Sequence, residues 1–248
     1  MSKKIGLCLY CNETKKLCDA HIVPRGFLGD VVDKAYLEIS SEDDRKKRSR
    51  IGPYDRGILC ADCDRKIGVY DEYAKRFLVN EIDAYRQGIN PLYVIPADTL
   101  NYEFFKKFFI SLLWRASVSS HPIFQHVSLG AYEAIAIKMI KGELDLDDKK
   151  FSVLVFKDAP SLKYADVISC VRSRLAKVWA YKFHFAGYQF SIVPNSVYMC
   201  WEIDNNLFSP ELFFLKEKQN FVVLEVDQDV SGKEILLARK RQFMLKVV

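Results

Sequence analysis

No stretch of this sequence approaches the ~20 consecutive apolar residues that a membrane-spanning helix needs. The longest apolar run, Phe108 to Trp114, is flanked by Lys106, Lys107 and Arg115. No secretory leader is expected either. The opening Met1-Ser2-Lys3-Lys4 is basic, but Gly6 to Tyr10 is too short for a leader's apolar core. There is no glycine-rich loop with phosphate-cradling spacing, no internal repeat and no low-complexity tract. Charge of one sign is in small excess: 37 Lys and Arg against 32 Asp and Glu give +5. The excess is spread along the chain, at 17 against 15 in residues 1–95 and 20 against 17 in residues 96–248. Such weak basicity admits a nucleic-acid partner without requiring one. With 50% hydrophobic and 28% charged residues, disorder is not expected. A soluble, cytoplasmic protein with no membrane partner is expected, of one large or two small domains.

What the sequence does have is paired cysteine. Four of its seven cysteines form two pairs of identical spacing, Cys8-Leu9-Tyr10-Cys11 and Cys60-Ala61-Asp62-Cys63. Two thiolates separated by two residues sit in a tight turn and reach one Zn²⁺ at ~2.3 Å. Two such pairs fill a tetrahedral shell and leave no open position. Zinc bound this way holds a fold and does not activate water. Read together as zinc ligands, the pairs are better explained than as two separate redox dithiols. Cys18 is a core residue or a spare ligand, while Cys170 and Cys200 lack partner spacing and read as core.

Hydrophobic periodicity places the rest. Ile67, Tyr70, Tyr73, Ala74, Phe77, Leu78 and Ile82 recur at helical steps, with Gly88 and Pro91 beyond them as a stop. Residues from about Tyr102 to Ser119 form a helix apolar on nearly every side, as a central buried helix is. A third helix is expected over about Gly130 to Lys141. Phe151 to Phe156, Lys177 to Phe185, Tyr188 to Val193 and Phe221 to Val226 read as strands, with Ala186-Gly187 as a hairpin turn. The stretch Ser161 to Val171 is ambiguous. The fold expected is α+β: a zinc-stapled module over residues 1–95, then residues 96–248 with central helices and an antiparallel β-rich part.

Three features remain. Arg115 lies within the apolar helix and must be paired; Asp71, Glu72, Glu103 or an external anion can do so. Arg45, Lys46, Lys47, Arg48 and Arg50 make a basic cluster that reads as a loop and a candidate phosphate contact. His121 and His126 fall in a loop region with no role assigned, and His184 within a strand reads as structural.

The step Cys18-Asp19-Ala20-His21-Ile22-Val23-Pro24-Arg25 lies between the two knuckles. A histidine followed by two aliphatic residues and proline, between C-x2-C pairs, resembles the HNH endonucleases with zinc-stapled ββα-metal cores. The resemblance covers about residues 6–80. It implies that His21 ends the first strand of a hairpin and that the second knuckle opens a helix. It implies a nuclease in which neutral His21 takes a proton from water while one divalent ion, usually Mg²⁺, steadies the leaving oxygen. It also implies nucleic acid as partner, with Arg25 and the basic cluster on the phosphates. Family members usually carry a metal ligand just before the histidine; here Ala20 stands there. Asp19 shares His21's face of the strand and can substitute. Asp55 stands near the family's middle Asn. Asp64 takes the last position and is the residue carried over as ligand of the catalytic ion. The chain is also similar to uncharacterised bacterial proteins carrying a Cys knuckle, a Ser-His-Ile-Ile-Pro-like step, a Leu-Leu-Cys-x2-Cys step and a Trp-Arg-Ala-Ser segment, here Ala20 to Pro24, Ile58 to Cys63 and Trp114 to Ser117, and a stretch like Phe124 to Tyr132. That likeness names no activity.

Two functions follow as expectations. One is an HNH-type, metal-dependent endonuclease on DNA or RNA with a structural zinc, of the kind found in bacterial defence or mobile elements. The other is a catalytically inactive zinc-stabilised module binding nucleic acid or protein. The strand-rich C-terminal part is expected to supply recognition or self-association.

Overall fold

The computed structural model describes residues 5–28, 36–40, 46–49, 51–87, 92–159, 167–175, 178–195 and 214–226, with the backbone path alone for 36–40 and 46–49. Gly88, Pro91, Cys200, Arg45 and Arg50 lie outside the described residues.

The chain opens with a hairpin of β1 (Ile5–Leu7) and β2 (Thr14–Lys16), whose connection carries the first cysteine pair. Next comes β3 (Ala20–His21), which Pro24 stops, and a 3₁₀ turn over Arg25–Leu28. A second hairpin, β4 (Tyr36–Ser40) with β5 (Lys46–Ser49), precedes β6 (Tyr54–Asp55). Helix α1 (Ala61–Lys75) begins at the second cysteine pair and runs on through a π-helical turn (Arg76–Glu81) into a 3₁₀ turn (Ile82–Tyr85). After β7 (Leu92–Ile95) comes α2 (Tyr102–Val118). Its first turn is capped by the Asn101 side chain, which accepts a 3.0 Å bond from the Phe104 N–H. Helix α3 (Tyr132–Lys141) ends at Gly142, which takes the left-handed conformation (φ 76°) that glycine adopts at no steric cost.

The remaining strands are β8 (Lys150–Asp158), β9 (Val167–Leu175), β10 (Val178–Phe185), β11 (Tyr188–Asn195) and β12 (Phe221–Val226). They match the valine- and aromatic-rich runs, and the ambiguous stretch after Pro160 yields β9 from Val167 onward. The β10–β11 turn is Ala186-Gly187, with φ of 54° and 73°, the two positive values of a type I′ turn.

These strands form one sheet in the order β5-β4-β9-β10-β11-β8-β12-β7. The expectation of an antiparallel arrangement needs correcting, because the sheet is mixed. Strand β12 runs parallel to β8, and β4 parallel to β9. The connections that make these pairs are long, and a parallel pair needs such a crossover. The basic segment over residues 46–49, expected as a loop, is the edge strand β5. Edge strands pair through backbone and tolerate charge, as they must to resist further pairing.

Helix α2 lies across one face of the sheet. Phe109 packs on Phe190 at 5.4 Å between ring centroids and Phe105 on Phe221 at 5.8 Å. The 3₁₀ turn after β3 inserts Phe27 between Phe108 of α2 and Phe185 of β10, at 5.5 and 5.3 Å. A continuous buried cluster therefore reaches from Cys8 to Val223. Among the described residues, no helix is long and apolar enough to cross a membrane.

Candidate metal centre and the histidine beside it

The two cysteine pairs are brought together by backbone. The Leu9 N–H donates to Ile58 O and the Cys18 N–H to Leu59 O, both at 2.9 Å, and Leu17 pairs with Cys60. In the first pair Asn12 adopts φ 59°, which turns the chain back into β2, and its N–H donates to Cys8 O at 2.8 Å. In the second, Cys60 is the residue before α1 and Cys63 lies in the first turn, where the helix's free N–H groups favour negative charge.

The four Sγ atoms lie within 4.8 Å of one another, and among the described residues they are the one group of three or more ligand-type side chains so placed. A tetrahedral ion with ~2.3 Å bonds to sulfur spaces its ligands about 3.8 Å apart, so the four thiols fit a metal such as zinc. Burial works against a thiolate at Cys8, but backbone N–H groups of Cys11, Cys60 and Tyr10 outweigh it and hold its pKa down to about 7. One of these bonds is the Cys60 N–H to Cys8 Sγ contact of 3.3 Å. Burial and the neighbouring thiols push Cys63 well above the ordinary range. A doubly charged cation at the centre is what lets all four become thiolates together. Cys18 is not part of the cluster; its thiol donates to Leu59 O.

Beside this centre, β3 pairs antiparallel with β6, directly before α1. Ala20 lies opposite Asp55 and His21 opposite Tyr54. Opposite residues in a ladder share a face and neighbours along a strand do not, so Asp55 goes with Ala20, on the buried side. Ala20 is completely buried. The Asp55 carboxylate is engaged throughout: Oδ1 accepts from Gly57 N–H at 2.7 Å, and Oδ2 from Ser119 Oγ, Ser120 N–H and Ser120 Oγ at 3.0, 2.7 and 2.9 Å. Burial opposes its charge, but these bonds outweigh it and lower its pKa. Asp55 thus ties the hairpin to the end of α2, and the structure does not bring it to His21. Nor does it bring Asp19, which is exposed and accepts from Arg56 Nε at 3.0 Å.

Of the three carboxylates, Asp64 is the one whose charge acts on His21, with no ion pair between them among the described residues. Burial lowers the pKa of the half-buried His21, with Asp64 pulling up and Arg25 and Arg115 pushing down. The neutral ring is therefore the dominant form at pH 7. Asp64 is raised by burial, against the attraction of Arg115 and His21. His21 Nε2 is buried and has no hydrogen-bond partner among the described residues.

Arg115 holds this arrangement from below, a role that its place in an apolar helix signals only as a need for pairing. Of its candidate partners, the structure selects Asp71 of α1, in a bidentate pair at 2.8 and 2.7 Å. The same guanidinium donates to the backbone O of His21 at 2.8 Å and to Ser111 O at 3.2 Å. One buried cation thus joins β3, α1 and α2. Removing one partner of such a pair typically costs about 3–5 kcal/mol.

Arg25 sits on the 3₁₀ turn near His21, and Lys46, Lys47 and Arg48 are on β5. His184 Nε2 meets Asp158 Oδ2 at 2.6 Å, and Gln189 Nε2 donates to Asp158 Oδ1 at 3.0 Å, a pairing within the sheet. No protein-family model, curated protein or solved structure matches the chain.

Proposed function

We propose that this chain is a metal-dependent nuclease of the HNH type that cleaves phosphodiester bonds in DNA, with Cys8, Cys11, Cys60 and Cys63 holding a structural zinc ion. The observation that carries the reading is the setting of His21. It ends a short strand in a ββα arrangement, burial lowers its pKa and so favours the neutral ring, and the charge of Asp64 in the first turn of α1 acts on it. Neutral imidazole accepts a proton from water as that water's oxygen attacks phosphorus. Arg115 fixes the strand end through the His21 carbonyl, so the ring's position is set by the core. Asp64 would hold a Mg²⁺ ion, which typically binds through one or two carboxylates and completes its shell with water and phosphate oxygens. When bound, that ion supplies positive charge to the leaving oxygen.

Incubation of the purified protein with supercoiled plasmid, and in parallel with single-stranded RNA, in Mg²⁺ or Mn²⁺ tests the reading. Nicking by the native chain is expected, with a loss of about 100-fold or more in His21→Ala at unchanged thermal stability. The rate should rise with pH through a midpoint below the ordinary histidine value, because burial lowers the His21 pKa. No cleavage by the native chain with either ion defeats the proposal.

A second reading, a zinc-stapled module without catalysis, is favoured by two observations. Ala20 fills the position before the histidine with a buried methyl, and Asp55 has no oxygen to spare for an ion. It requires binding of nucleic acid or of a protein partner that His21→Ala leaves unchanged, with no cleavage.

A further inference from the structure

The outward face of the β3–β6 pair carries more than His21. Register turns Asp55 inward with Ala20, so its neighbours Tyr54 and Arg56 fall on the other side, with His21. The contacts agree. The Tyr54 and His21 rings lie 6.2 Å apart between centroids, tilted at 49°. The Arg56 guanidinium lies over the Tyr54 ring, its central carbon 5.3 Å from the centroid, and its Nη2 donates to the Tyr54 hydroxyl at 3.3 Å. Its Nε donates to Asp19 at 3.0 Å. Asp19, His21, Tyr54 and Arg56 therefore form one cluster, built from two strands that the sequence separates, and the Asp19 and Arg56 side chains are exposed.

An ion pair this exposed adds little to stability, so the fold alone does not call for gripping Arg56 from two sides. A guanidinium has five N–H groups. Two are engaged here, which leaves three without a partner among the described residues, on a side chain 54% exposed. Ordering a long side chain opposes ligand binding, and here the ordering precedes any ligand. Asp19 holds one edge of the donor fork and Tyr54 supports its plane. The free edge presents paired donors in the planar geometry that suits phosphate oxygens. The cations acting most on the His21 ring are Arg25 and Arg115. Arg115 is buried and taken up by Asp71. Arg56 reaches the site through Tyr54, one ring removed from the imidazole, and so faces a phosphate beside the one that His21 addresses.

We propose that Arg56, held by Asp19 and Tyr54, binds a DNA phosphate next to the scissile one. The proposal rests on the nuclease reading for the place of the scissile phosphate. Asp19 and Tyr54 are positioning residues in it, and the Asp19 carboxylate serves the arginine and not a metal ion.

The test is fluorescence anisotropy of the full chain, without divalent ion, on two labelled DNA duplexes of about 20 base pairs and unrelated sequence, over a salt series. Arg56→Gln should bind both duplexes about fivefold more weakly, and to the same extent, because a phosphate contact carries no sequence information. It should also lose about 0.9 from the slope of log K against log salt, as one phosphate contact does. Tyr54→Leu loosens the guanidinium without removing a charge, so it should weaken binding and keep the slope. Lys149→Gln is the control for overall charge. Lys149 is exposed and follows Asp148, which bonds Tyr102 at the start of α2, whereas Asp55 is bonded to Ser120 beyond the other end of that helix. It is expected to bind as the native chain does, and matching thermal melts verify the fold of each variant. With Mg²⁺ present, Arg56→Gln should raise KM about fivefold and leave kcat within about twofold, since a neighbouring phosphate is held equally before and during the reaction. Unchanged affinity and slope in Arg56→Gln overturns the proposal, and so does an equal loss in Lys149→Gln. Binding that depends on Arg56, with neither duplex cut by the native chain, defeats the nuclease reading alone. Cleavage with native affinity and native KM in Arg56→Gln defeats this proposal alone.

Discussion

Lys106 is completely buried in α2 and its Nζ has no hydrogen-bond partner among the described residues. Burial lowers its pKa to about 8, with Asp148 and Asp147 pulling weakly upward. The unfolded chain binds this proton up to the ordinary lysine range near ~10.4, and the folded chain releases it near 8. Between those values the unfolded state holds more protons, so stability rises with pH, by an amount on the order of 3 kcal/mol from this residue. Below pH 8 both states carry the charge, and the folded state bears the full cost of burying it. Lys106→Met should therefore raise the unfolding free energy at pH 7 by about 1–3 kcal/mol, and its advantage over the native chain should shrink as pH climbs to 10. Urea titrations at pH 7, 8.5 and 10 check this; an unchanged or lower stability at pH 7 contradicts it. Spacing along the sequence gives no hint of such a residue, because lysine on a helix is ordinarily solvated. Arg115 was more legible, since a cation inside an otherwise apolar run demands a partner. Its choice of Asp71, and its grip on the His21 carbonyl, depend on how α1 crosses α2, which no spacing encodes.

At the scale of elements, the legible pieces were those whose own side chains are buried. The cysteine pairs, α2 and the valine- and aromatic-rich strands announce themselves by composition. The β4–β5 hairpin does not, because an edge strand is held by backbone bonds and Lys46 to Ser49 carry the charges of a loop. Asp55 shows the same limit at the candidate site. Its distance in sequence from the second knuckle suggests a ligand, but the register puts it opposite Ala20 and so on the wrong face. The β10–β11 turn was legible and carries a defect. Ala186 adopts φ 54°, where an L-residue with a Cβ is strained, and Gly187 adopts φ 73° at no such cost. Ala186→Gly, or Ala186→Asn as the turn type prefers, should stabilise the chain by about 0.5–1 kcal/mol. A rise of a few degrees in Tm is the expected reading, and a fall contradicts the turn assignment.

For the molecule as a whole, the four-cysteine centre joins positions far apart in sequence. Cys8 and Cys60 are 52 residues apart. By the chain-entropy reasoning used for disulfides, closing a loop of that length is worth about 4 kcal/mol, which a bound metal would supply through its ligands. Cys60→Ser should cut zinc from about one ion per chain to well below half, and should lower Tm by at least several degrees. Elemental analysis and calorimetry on the same sample check both. Full zinc occupancy in that variant would mean that Cys60 is not a ligand.

The two parallel pairings of the sheet bear on the order in which the chain assembles. Leu37 meets Val167, and Phe156 meets Leu224, across stretches that must be synthesised before either contact can form. The ββα segment with its four thiols spans only residues 5–75. Non-local pairing is slow and local closure fast. A metal ion can thus capture the first segment while the rest of the sheet is still being made. His21 and Asp64 would then be set in place before β9 and β12 exist to complete the sheet, so the first part of a nascent chain to gain a fixed shape would be the part that holds them.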